Sequence, residues 1–196
     1  MKKIISLSLL IIICITVFVS CSDTSGKEKI IEITDVSGSK FVLTEEDLFY
    51  NFYQNAQYSG VLTNSWKSPS EIDSHYLIDF FTRQTSWVQA NYDDVLIPQY
   101  LLEIYMMNYF DVESDHLRKS PQYVSDDGVY RLQGYPIDYK CSITDTTVDG
   151  NLVTIHYETY DYETQTKPVQ KGFMIIQIDN PVTFKYISNT TTTESD

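Results

Sequence analysis

Three features of this 196-residue chain predict an α+β fold. Between Thr44 and Phe110, apolar residues recur every three or four positions, as in helices with one buried face. From Val129 onward the period falls to two, as in half-buried strands. The strand-like runs are joined by short turn-like connections, which makes successive strands antiparallel neighbours. Together these imply about three N-terminal helices packed on a C-terminal antiparallel β meander of four to five strands.

The chain begins with Lys2 and Lys3, followed by an almost wholly apolar run from Ile4 to Val19. As a helix that run would span roughly 24 Å. A hydrocarbon core is about 30 Å thick and needs around 20 apolar residues. The run is therefore short for a permanent span and suits a signal-peptide core. Ser20 and Cys21 close it, and the polar stretch Ser22 to Lys29 follows as a tether. Residues 1–20 are read as a leader, 21–29 as the tether, 30–188 as one α+β domain and 189–196 as a polar, disordered tail.

The first elements after the tether are two β-prone runs, Ile30 to Ile33 and Phe41 to Leu43. The loop Asp35 to Ser39 between them predicts a hairpin. Thr44 then reads as an N-cap, with Glu45, Glu46 and Asp47 placed where the helix dipole favours negative charge. Leu48, Phe49, Phe52, Tyr53 and Ala56 form the apolar stripe of this first helix, and Gly60 stops it. The second helix is expected to start at Ser68-Pro69-Ser70-Glu71, a capping box with proline at the first helical position. Its buried stripe is Ile72, Tyr76, Leu77, Phe80 and Phe81, with a continuation towards Trp87. The third helix opens at Pro98 and presents Leu101, Leu102, Tyr105, Met106, Tyr109 and Phe110. One further helical turn fits Asp111 to Leu117.

Strands are predicted near 129–133, 139–148, 152–162, 169–179 and 182–188. Gly134 to Pro136, Asp149-Gly150-Asn151, Thr164 to Pro168 and Asn180-Pro181 serve as connections. Val153, Ile155 and Tyr157 share a face and are assigned to the core. Tyr139, Cys141 and Ile143 share another. Thr154, His156 and Glu158 then lie on the opposite face of their strand.

Charge excludes one class of partner. The chain carries 27 acidic and 14 basic residues, a net charge of −13, and loss of Lys2 and Lys3 with the leader takes it to −15. Such acidity argues against nucleic acid and against anionic lipid bound through a basic patch. It leaves cationic ligands, neutral glycans and envelope proteins as partners. Of three cysteines, Cys14 lies in the leader and Cys21 at its end. Cys141 alone remains, so no internal disulfide is expected.

Phe18-Val19-Ser20-Cys21 resembles the lipobox of bacterial lipoproteins, with Phe18 where that family usually has an aliphatic residue. The resemblance implies cleavage after Ser20, a diacylglyceryl group on Cys21, and a protein held at the extracytoplasmic face of the cell membrane. Three helices followed by a meander resembles the cone-shaped roll of nuclear transport factor-like and cystatin-like proteins, through element order alone. A more local set looks like a group of uncharacterised lipoproteins of gut Firmicutes. It comprises Ser68 to Asp73, Tyr109-Phe110-Asp111-Val112, His116-Leu117-Arg118-Lys119-Ser120 and Tyr123. That resemblance implies an address and an architecture, and no activity.

Candidate chemistry is sparse. His156 and Glu158 have the spacing of an acid–base pair on one strand face; the plainer account is a polar outer face. Asp161 is a further carboxylate on the same strand, on the opposite face. His75, beside Asp73 and Asp79, has no partner at metal-ligand spacing and reads as a solvated helix residue. Asp111, Glu113 and Asp115 alternate like a calcium loop. His116 and Gln122 occupy the positions of that loop's glycine and bidentate glutamate, which excludes an EF-hand. A looser oxygen site with Asp126 and Asp127 is the remaining metal reading, set against simple loop solvation. No motif calls for a cofactor. Cys141 reads as a small core residue. Trp66, Trp87 and Tyr160, with Tyr157 and Tyr162, are candidates for an aromatic platform that holds a sugar; aromatics on amphipathic elements more often fill a core.

Two functions follow as expectations. The first is a non-catalytic, membrane-anchored domain that binds a ligand or partner. The second is a small roll-fold hydrolase or isomerase that uses a His/carboxylate pair in an enclosed pocket.

Overall fold

Polar turns divide the described chain into nine strands and four short helices. The computed structural model describes residues 29–53, 56, 60–85, 94–133, 139–161 and 167–193. The leader, Cys21 and Trp87 lie outside these residues. No helix among the described residues is long and apolar enough to cross a membrane.

The fold is mixed α+β with antiparallel strands, arranged in three sheets. The predicted hairpin forms from β1 (Ile30–Thr34) and β2 (Lys40–Thr44). Asp35 closes its turn by accepting from the backbone N–H groups of Ser37 and Ser39, both at 2.8 Å. The hairpin is a sheet of its own. It is tied to the large sheet by a Thr34 N–H bond to Gly150 O at 3.1 Å and a Lys29–Asp145 ion pair at 2.8 Å.

Thr44 caps α1 (Glu45–Leu48) in a full capping box with Asp47. The α-helix is shorter than the apolar stripe predicts. It widens at once into a π-helical turn, Phe49–Tyr53. Leu48 and Tyr53 are both fully buried, and residues five apart share a face only when the helix widens in this way.

The second helix starts later than expected. Pro69–Glu71 is a single 3₁₀ turn, and Ser68 makes no capping bond. The chain extends at Ile72, and α2 (Ser74–Gln84) begins with Asp73 as its N-cap. Ile72 is buried, and its carbonyl lies 2.8 Å from His116 Nε2. Burying that side chain and serving that histidine require the break. Leu77, Phe80 and Phe81 are buried as predicted.

Pro98 caps α3 (Gln99–Tyr109) as expected, but the buried face is rotated. Leu102, Glu103, Met106 and Phe110 point inward, while Leu101 is half exposed. The single predicted turn after it is α4 (Ser114–Leu117).

The helices are not a separate N-terminal block. A strand missed in the sequence, β3 (Val95–Pro98), precedes α3. With β4 (Tyr123–Val124) and β5 (Val129–Leu132) it makes a three-stranded sheet in the order β3-β5-β4. Residues 129–132 therefore belong to this small sheet and not to the meander.

The meander itself has four strands: β6 (Tyr139–Asp149), β7 (Leu152–Asp161), β8 (Pro168–Asn180) and β9 (Thr183–Thr193). They lie in sequence order. Gly150, at φ 63°, turns β6 into β7, a conformation that glycine adopts without strain. Asn189 to Thr193, expected to belong to a disordered tail, are instead part of β9. Gln170 to Met174 of β8 offer ladder partners to Asn189–Thr193, and a polar segment with such a partner is ordered.

One connected core joins these layers. Val153, Ile155 and Tyr157 of β7 meet Met174, Ile176 and Ile178 of β8 and Phe184 and Tyr186 of β9. Phe80, Phe110 and Tyr186 pack with ring centroids 4.9–5.5 Å apart, which fills the space between the helices and this sheet face. The β9 edge is covered as well. Trp66 bridges Asn189 through a backbone pair at 2.8 and 2.9 Å, and Phe110 bridges Tyr186. Edges covered in this way do not recruit further strands.

Candidate functional site

Strand alternation places His156, Glu158 and Tyr160 together on the outer face of the meander, away from the helices. All three are partly exposed, while Tyr157 and Thr159 between them are buried. The register of β7 with β8 sets Phe173 opposite His156 and Lys171 opposite Glu158. Asp145 and Ser142 of β6 flank the same two positions on the other side.

Glu158 is held by its neighbours and not by His156. The Tyr160 hydroxyl donates to Glu158 Oε2, and Lys171 Nζ lies 3.2 Å from Oε1. The Tyr160 bond holds the Glu158 carboxyl below the ordinary range, with Lys171 adding to this against a smaller burial effect. The same bond raises the Tyr160 hydroxyl. A carboxylate stabilised in its charged form is a poor proton acceptor near neutrality and is no proton donor there. His156 instead rests beside Phe173, with ring centroids 5.8 Å apart. The two residues share a face as the sequence implies, but their geometry is that of a cross-strand ladder of side chains.

The aromatic candidates divide. Trp66 is 2% exposed, and its indole N–H donates to Val61 O at 2.8 Å. It is a core residue, not a platform. Tyr157 is also buried: its hydroxyl lies 2.9 Å from Asn189 Oδ1 and 3.0 Å from Leu62 O. Tyr160 is accessible but occupied by Glu158. Trp87 and Tyr162 lie outside the described residues, as does the side chain of Asp161.

The remaining histidines have local duties. His75 Nδ1 lies 2.8 Å from the Asp73 carboxylate at the start of α2, and that contact is the main cause that holds the Asp73 carboxyl below its ordinary value. His116 serves the Ile72 carbonyl. Asp111, Glu113, Asp126 and Asp127 are exposed, and Asp115 faces Arg118 at 3.6 Å. Among the described residues, no three His, Cys, Asp or Glu side chains come together as metal ligands. Cys141 is buried, and burial pushes its thiol up to about 12.

Two features escaped the sequence. The first is a buried carboxylate paired with a partly exposed guanidinium. Glu103 on α3 receives Arg118 Nε and one terminal N–H of the guanidinium, at 2.8 and 2.9 Å. The Tyr130 hydroxyl donates to the same carboxylate at 3.2 Å. Burial opposes its charge, but Arg118, Ser114 and Tyr130 outweigh that and hold Glu103 below the carboxylate range. Arg118 is raised chiefly by its bond to Glu103, and Tyr130 is raised first by burial and then by the Glu103 charge. The second is a surface groove of about 360 Å³ between α2 and the small sheet, with Asp79, Asp94, Gln122 and Arg131 in its wall. Arg131 and Asp94 pair there at 3.4 Å. Its walls come from segments far apart in the chain, so no local pattern announces it. Neither feature includes His156, Glu158 or Tyr160.

Comparisons with protein-family models, with curated proteins and with solved structures each return no match to this chain.

Proposed function

We infer that this chain is a bacterial lipoprotein held at the extracytoplasmic face of the cell membrane by a diacylglyceryl Cys21. Its domain binds a ligand or partner protein and does not turn over a substrate. Two acyl chains give stable anchoring where one does not. The leader pattern, with Lys2, Lys3, the apolar run and Ser20-Cys21, supports the address.

One observation carries the binding reading. The sheet face that a roll-fold enzyme would hollow into a pocket is packed with Phe80, Phe110, Tyr157 and Tyr186. The strand candidates His156 and Glu158 sit on the opposite, open face, with Glu158 engaged by Tyr160 and Lys171 rather than by His156. The likeness to cone-shaped rolls rests on element order and adds no pocket.

The test is recovery of the intact protein from membranes, with mass measurement of the N-terminal peptide and a pull-down of its envelope neighbours. Acylated Cys21, release by Cys21→Ala and a specific partner are the expected results. Turnover of any substrate that is lost in His156→Ala would overturn the binding reading. An unmodified Cys21 would overturn the anchor.

A further inference from the structure

α3 is apolar on both of its faces. Its inner arc fills the core with Leu102, Met106 and Phe110 at its end. Its outer arc presents Tyr100 at 60%, Leu101 at 50% and Ile104 at 60% exposure. Asn108 and the partly exposed Met107 lie on that same arc. A soluble helix ordinarily turns charged residues outward. This one carries a single charged residue, Glu103, and turns it inward onto Arg118. From Val95 to Phe110 no other charge occurs, in a chain of net charge −13.

We propose that the outward arc of α3, Tyr100-Leu101-Ile104, is a membrane-contact surface that rests the anchored domain against the headgroup region of a zwitterionic bilayer. The proposal rests on the lipid-anchor reading of Cys21. Size separates a bilayer from a protein occupant. Three side chains at these exposures present on the order of 400 Å², about half of the roughly 800 Å² that each partner of a stable complex contributes. An aliphatic pair beside a tyrosine suits shallow contact, with the ring at headgroup level. Charge agrees with this. An acidic domain is repelled from an anionic surface over most of its area, and the outer arc of α3 is an uncharged place where it approaches lipid without that cost.

The experiment uses the mature acylated protein in phosphatidylcholine vesicles, with a nitroxide on Ile104→Cys and, separately, on Tyr100→Cys. Cys141 is buried and Cys21 acylated, so labelling is confined to the introduced thiol. A third label, on Thr154→Cys of the outer sheet face, is the reference. Collision with oxygen is expected to rise and collision with a water-soluble nickel complex to fall several-fold at residues 100 and 104, with no change at 154. Replacing a third of the lipid with phosphatidylglycerol should reduce that contrast. Vesicle-bound protein whose 104 label matches the 154 label overturns the docking and leaves the anchor standing. Protection at 104 before vesicles are added, with a doubled mass by light scattering, assigns the arc to a second copy and overturns it too. A Cys21 without acyl mass overturns both readings together.

Discussion

The hydroxyl of Tyr157 on β7 reaches Asn189 on β9 at 2.9 Å by crossing β8 above Gly172. A Cβ at Gly172 would lie 2.7 Å from the Tyr157 ring and hydroxyl and 2.5 Å from Thr190 O, so only glycine leaves room for this crossing. Asn189 in turn donates to Leu62 O at 3.1 Å and Asn64 O at 2.8 Å, which pins the 61–66 loop along the sheet edge. Gly172→Ala is expected to destabilise the fold by about 1–3 kcal/mol through overpacking. Asn189→Ala should cost a similar amount, about 1–3 kcal/mol, by removing the amide that serves Asn64 O, Leu62 O and the buried Tyr157 hydroxyl. Denaturant unfolding measures both. Hydrogen exchange at the Trp66 amide should accelerate in Asn189→Ala more than exchange in β7.

Glu103 and Arg118 join α3 to the segment after α4. Removing the guanidinium strands the buried Glu103 carboxylate, so Arg118→Met should lower the denaturant midpoint clearly. Glu103→Gln, which removes the charge and keeps the shape, should cost less. The folded Glu103 carboxyl lies below its ordinary value, so its contribution is present above the unfolded value of about 4.3 and is lost as pH falls through the lower folded value. The acid limb of the stability–pH curve should therefore be shallower in Glu103→Gln than in wild type. An unchanged acid limb would remove Glu103 from that transition.

On the outer sheet face, Glu158→Gln keeps the Tyr160 contact and weakens the one to Lys171. The pair is solvent-screened, so the stability change should stay within about 0.5 kcal/mol. Spectrophotometric titration should show the Tyr160 hydroxyl moving back down towards the ordinary tyrosine value, because Glu158 is the first cause of its rise.

Cys141 is 6% exposed with a thiol raised to about 12 by burial. Alkylation of the native acylated protein at pH 8 should be slow, on the time scale of unfolding, and complete within minutes in denaturant. Fast native labelling would contradict the packing of β6 against the core.

Periodicity alone, read along the chain, carried much of the architecture. The period-two runs located β6 to β8 and the start of β9 to within about a residue, since a half-buried strand must alternate, but not the polar end of β9. The Thr44 cap and the Pro98 start are local chemistry and were equally legible. So was the inward face of Val153, Ile155 and Tyr157. Tertiary structure decided what depends on distant partners. Ser68 lost its capping role because burial of Ile72 and its bond to His116 break the chain before α2. Glu103 faces inward only because Arg118 and Tyr130 arrive from other segments to neutralise it, and the rotation of α3 that follows leaves Leu101 outside. Trp66 became core and Asn189 an edge-sealing residue because the 61–66 loop docks on β9, more than a hundred positions away. A local pattern records what a residue prefers with its near neighbours. Which face is buried, and which polar group is satisfied there, is settled by the elements that pack against it.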